Sequence, residues 1–156
     1  MSRANLLFSA LIGAVASARS MTPMAALSMA RLVHERTPGR LVLLDRPLFK
    51  FGALAMGVGE LFGDKMTSAP DRAVALGLMA RVASAAIAGA ALAPRGEEEK
   101  GAAVAVAVAV PLAYATLAAR KRAMRRMGQT PSGLIEDAIV VAAGAAVVAL
   151  AIRSAR

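Results

Sequence analysis

Polar and apolar positions fall into blocks along this chain. Apolar stretches cover residues 4–18, 24–33, 47–64, 72–93, 101–119 and 134–152, and most charged residues collect between them. Stretches of that length without a two-residue period predict helices. The Ala/Val run at 103–110 alternates and would also suit a strand. A helix is expected there, because a lone strand has no hydrogen-bond partners in lipid. Pro111 then predicts a kink. The expected fold is all-α, a polytopic transmembrane bundle of five to six hydrophobic segments in a single domain over residues 1–156.

Residues 1–18 have the form of a secretory signal, with Arg3, an apolar core at 6–15 and the small residues Ala16-Ser17-Ala18. They are read as a retained helix, since the stretch at 24–33 follows as an apolar partner. Between the two lies Arg19-Ser20-Met21-Thr22-Pro23. Pro23 disfavours helix at Thr22 but suits the first turn of a new one, with Thr22 as N-cap. Each piece is about 14 residues, short of the roughly 20 needed to cross a hydrocarbon core. The pair therefore forms either one broken, tilted span or two re-entrant half-helices, with Arg19 at the break. Such breaks are tolerated only where protein or water satisfies the freed backbone.

The connections carry the charge. Residues 35–46 are polar, with Pro38-Gly39 as a turn signal, and Thr67-Ser68-Ala69-Pro70-Asp71 is a second turn. Glu97, Glu98 and Glu99 mark an acidic loop at 94–100, and Arg120, Lys121, Arg122, Arg125 and Arg126 form the strongest basic cluster. Residues 128–133 are expected to break the helix before the last one. The basic cluster should face the cytoplasm and the acidic loop the opposite side, in a multi-pass inner-membrane protein. The basic region at 36–50 fits that assignment less well and leaves the N-terminal topology open. Val15-Ala16-Ser17-Ala18 recurs as Val82-Ala83-Ser84-Ala85, which allows a three-plus-three inverted repeat.

Composition strengthens the membrane reading. The chain is 58% hydrophobic and lacks Trp, against roughly 45–50% apolar in soluble domains. Its formal net charge of +9 would suit nucleic acid, but the few aromatics are not interleaved with the basic run, so no nucleic-acid partner is expected. With no Cys there are no disulfides, thiolate metal sites or cysteine nucleophiles. No phosphate loop, His-Glu-x-x-His or Gly-x-Ser-x-Gly pattern occurs, and His34 is the only histidine. No enzyme activity and no cofactor are expected.

Candidate chemistry centres on Gly57-Val58-Gly59-Glu60-Leu61-Phe62-Gly63-Asp64-Lys65. Glu60 and Asp64 share a helix face, and Gly59 and Gly63 form an adjacent strip where another backbone could approach. Glu136 and Asp137 open the last helix, where a first-turn acid also suits the helix dipole. Joined across the fold, these four carboxylates would suit a hard cation or a proton. Arg19 and Lys65 are the cations that would pair with them, Arg19 facing Glu60 or Glu136. Arg81 is a second intramembrane cation, expected to snorkel or pair inside the bundle, and His34 an interfacial helix end.

Three blocks together resemble an uncharacterised bacterial membrane family, domain of unknown function 4126. They are Ala18-Arg19-Ser20-Met21-Thr22-Pro23, Gly59-Glu60-Leu61-Phe62-Gly63-Asp64-Lys65 and Pro131-Ser132-Gly133-Leu134-Ile135-Glu136-Asp137. The resemblance spans nearly the whole chain and implies a small multi-helix inner-membrane protein, without assigning an activity. A weaker likeness is to cation/proton exchangers carrying Glu-x-Gly-Asp-Lys-Thr. Here two residues separate Glu60 from Gly63, Met66 precedes Thr67, and no second copy occurs.

The expected function is a small, homo-oligomeric transporter or channel in the lipid bilayer, for a cation or a proton-coupled solute. Its polar site would hold Glu60, Asp64, Glu136, Asp137 and Arg19, supported by Lys65, Gly59, Gly63 and Pro23. The alternatives are a structural or accessory membrane protein with the same residues as interhelical ties, or a lipid-handling protein whose basic loop meets anionic headgroups.

Overall fold

The structure, a computed structural model, describes residues 4–39, 41–63 and 72–156. Among them run six α-helices and one short 3₁₀ turn. They are α1 (Ala4–Ala18), α2 (Thr22–Leu32), the 3₁₀ turn (Val42–Asp45), α3 (Pro47–Gly63), α4 (Arg72–Leu92), α5 (Glu98–Met127) and α6 (Gln129–Ser154). No strand occurs among the described residues, so the Ala/Val run is helical.

The chain reverses between α1 and α2. Val15 lies against Gly144 of α6 and Arg19 reaches Asp137, so α1 runs antiparallel to α6. Thr22 and Ala26 lie against the same Gly144, and Met29 and Val33 share a cleft with Val148 and Ile152 further along. Hence α2 runs parallel to α6, and α1 and α2 form a hairpin whose tip is residues 19–21. The chain therefore turns back between the two pieces and does not continue as one broken helix. At 15 and 11 residues, the arms are about 22 and 16 Å long at 1.5 Å per residue. The tip therefore stops partway along α5, whose 30 residues extend about 45 Å.

Small residues hold α1, α4 and α5 together. Gly101, Ala105, Ala109 and Ala113 make the buried stripe of α5, one residue per helical turn. A methyl group on Gly13 would collide with the Ala105 carbonyl, and one on Gly89 with the Gly101 carbonyl. Small residues at these positions let the helix backbones approach closely. Ser9 Oγ, on α1, donates to the Gly89 carbonyl at 2.8 Å and locks the three-helix contact. Larger side chains, among them Ile12, Leu27, Leu92, Val148 and Ile152, fill the core between the hairpin, α4 and α6.

Two helices, Glu98–Met127 and Thr130–Ser154, are long and apolar enough to cross a membrane, and most of each apolar stretch faces outward. Leu112, Leu117, Ile139 and Leu150 are among the exposed large side chains they present. The core helix of a soluble protein would bury that surface.

Several boundaries differ from expectation. Helix α5 begins three residues before 101 and continues through the whole basic cluster, so those cations ride on its last turns. Glu, Lys, Arg, Ala and Met are good helix formers, and basic side chains favour a helix C-terminus. Pro111 lies inside α5 without ending it. The break before α6 is Gly128 alone, at φ 86°, because α6 starts at Gln129. Glu136 and Asp137 thus lie about two turns into α6 and do not cap it. His34 does end α2, in the left-handed region at φ 62°, where its amide and that of Glu35 close back on Arg31 and Ala30.

Candidate functional site

A helix break leaves orphan carbonyls on one side and orphan amides on the other. At the hairpin tip, two other helices supply the partners. Helix α5 sends Thr116 Oγ1 to the Ser17 carbonyl at the end of α1, at 3.2 Å. Helix α3 sends the Glu60 carboxylate to the start of α2. One oxygen accepts from the Ser20 amide at 2.8 Å and the Ser20 hydroxyl at 2.6 Å, and the other from the Met21 amide at 2.8 Å. Met21 occupies the N-cap position and α2 has no side-chain cap of its own, so Glu60 replaces the cap expected from Thr22. Pro23 lies in the first turn of α2 as expected and is fully buried.

Arg19 completes the arrangement. Its side chain is almost wholly buried, and its guanidinium pairs with the Asp137 carboxylate of α6. Its other terminal nitrogen donates at 3.4 Å to the Glu60 carbonyl, in the last turn of α3. The partner is Asp137, where the sequence suggested Glu60 or Glu136. Arg19 and Asp137 cancel in formal charge, leaving the Glu60 carboxylate opposed by the amides and dipole of α2.

The other expected site residues separate from this group. Glu136 turns to Arg120 of α5, with 3.7 Å between Nε and Oε2 and both side chains about one-fifth exposed. Consecutive helical residues point about 100° apart, so the Glu136-Asp137 pair serves two partners. Asp64 and Lys65 lie outside the described residues, as does the turn at 67–71. Gly59 is exposed with open space around it, contrary to the expected packing strip. The glycine that admits a neighbour is Gly57, where a methyl would stand 2.9 Å from the Ala25 side chain. Gly63 ends α3, and its surroundings lie outside the described residues. Arg81 finds no carboxylate among the described residues, and its buried Nε has no hydrogen-bond partner.

Among the described residues, no three His, Asp or Glu side chains gather as a metal group. Both Glu60 oxygens already accept from backbone or hydroxyl donors. The chemistry on offer is therefore an acid held among fixed donors beside a buried ion pair. Sequence reasoning missed Ser20, Met21 and Thr116, whose amides and hydroxyls make the tip polar. The marker was present: a proline-started helix behind a short apolar one exposes unpaired amides that something must accept.

Comparison with known family models, curated proteins and solved structures finds no match.

Proposed function

We propose that the chain is a small multi-pass transporter or channel of the bacterial inner membrane, moving a cation or a proton-coupled solute past the hairpin tip. The observation that carries this reading is Glu60, a carboxylate from one helix gripping the amides that open a half-helix. Discontinuous helices with charged groups at the break are how transporters place polar sites at membrane depth. The Ser20 and Met21 amides that Glu60 holds are the donors a helix start offers to an anion or a carbonyl. The outward apolar faces of α5 and α6 suit lipid or a second copy in a homo-oligomer. Helices α1 and α4 run in opposite directions on α5, which supports treating the two halves as an inverted pair. The resemblance of three sequence blocks to the domain of unknown function 4126 family is in keeping with a small multi-helix membrane protein and assigns no activity. Proton and monovalent-cation flux in proteoliposomes, compared between wild type and Glu60→Gln, tests the proposal.

A second reading is favoured by one specific observation, the Arg19–Asp137 pair, which ties the hairpin to α6 without needing any substrate. On that reading the protein is a structural or accessory membrane component. It predicts no flux from the wild type and a loss of thermal stability or assembly in Asp137→Asn.

A further inference from the structure

Helix α3 packs on α2 and on the 3₁₀ turn but stands off α4, leaving a lateral groove of about 470 Å³. That volume lies in the range of small-molecule and lipid sites. The wall is almost entirely apolar, made by Met24, Phe49, Ala53, Met56 and Ile87 among others. Methionines and alanines suit a flexible occupant, since thioethers adapt and methyl groups leave room. Two polar features break the pattern. Ser84 is 2% exposed, lines the groove, and its hydroxyl has no hydrogen-bond partner. Buried hydroxyls are rarely left so, because a desolvated donor without a partner is costly. Arg46 lies in the lining where α3 begins, exposed and without a carboxylate partner among the described residues. The groove extends from there to Met21, whose amide Glu60 holds.

We propose that this groove binds one anionic phospholipid. A single acyl chain lies along Met24, Met56 and Ile87, the Ser84 hydroxyl donates to the chain's ester oxygen, and Arg46 meets the phosphate. The Ser84 hydroxyl and the Arg46 cation, neither partnered among the described residues and set in a wall otherwise apolar, match the two polar parts of such a lipid in kind. Exposed Val42, Leu43 and Leu48 around the 3₁₀ turn extend the apolar surface at the mouth. The site is independent of any flux through the hairpin tip, and a wild type without flux leaves it standing.

The test is native mass spectrometry of the detergent-purified protein after incubation with phosphatidylglycerol or phosphatidylcholine of identical acyl chains. The expected result is one retained phosphatidylglycerol and weaker retention of phosphatidylcholine. Arg46→Gln should weaken phosphatidylglycerol about five- to tenfold, the effect of one basic residue at an anionic surface. Ala83→Phe, at an exposed position lining the groove, should abolish retention without lowering the melting temperature of the lipid-free protein. Ser84→Ala should weaken retention while leaving the lipid-free protein at least as stable. Equal retention of both lipids that survives Arg46→Gln and Ala83→Phe would mean annular lipid only and overturn the proposal. So would a preference for phosphatidylglycerol that disappears with Arg120→Gln and Lys121→Gln but not with Arg46→Gln.

Discussion

Glu60 and Arg19 each complete the other's helix end. The Glu60 carboxylate takes the Ser20 and Met21 amides that open α2, and the Arg19 guanidinium donates to the Glu60 carbonyl in the last turn of α3. Asp137 then neutralises Arg19 from α6. Three elements meet at one residue-sized junction, and substitutions there should not behave alike.

Asp137→Asn removes the charge that the Asp137 carboxylate places against the buried Arg19. Breaking a buried pair by removing one partner costs about 3–5 kcal/mol. Glu136→Gln weakens a partly exposed pair with Arg120, and loss of such a pair should cost less than about 1 kcal/mol. Neighbouring acids should therefore differ sharply in melting temperature measured in the same detergent. Equal losses would show that the two side chains are not divided between Arg19 and Arg120.

Two glycines should also separate. Gly13→Ala places a methyl group against the Ala105 carbonyl and forces α1 away from α5, lowering stability by about 1–3 kcal/mol. Gly59→Ala meets open space inside α3 and should stabilise by up to about 1 kcal/mol through helix propensity. Thermal melts of both variants check the signs. A harmless Gly13→Ala would contradict the close α1–α5 contact.

Outside the apolar segments, Arg156 bonds to the Glu35 carboxylate. The bond to Glu35 and the charge of its carboxylate raise the Arg156 pKa above its ordinary value. A raised folded-state pKa contributes stability that is fully present below the unfolded value and is lost only as pH rises through the folded one. That window lies above any working pH. Melting temperatures of wild type and Arg156→Gln should thus run parallel between about pH 6 and 9 if Arg156 titration is the only difference. Curves that diverge there would point to another titrating group linked to Arg156.

Much of the helix map was legible from hydrophobic blocks alone. The expected segments at 47–64 and 72–93 match α3 and α4 within a residue at each end. The break at Arg19–Pro23 was legible because proline and a lone arginine interrupt an apolar run. Its direction was not, since helical periodicity is the same whether the next helix continues or turns back. The start of α5 was misjudged because Glu98, Glu99 and Lys100 read as a loop, although Glu and Lys propagate helices well. The start of α6 was misjudged because Pro131 and Gly133 read as breakers, although proline is tolerated in a first turn. At the tip, Glu60 stood out as an acid in an apolar segment. Its partners did not, because backbone amides leave no mark in a sequence until the fold shows which are unpaired.

Flux in proteoliposomes tests the role of the tip most directly. Wild-type protein should move protons or a monovalent cation down an imposed gradient, and Glu60→Gln, still helical and correctly assembled, should lose that flux. Wild-type vesicles no leakier than protein-free ones, or a Glu60→Gln variant that conducts as well as wild type, would contradict transport through this carboxylate.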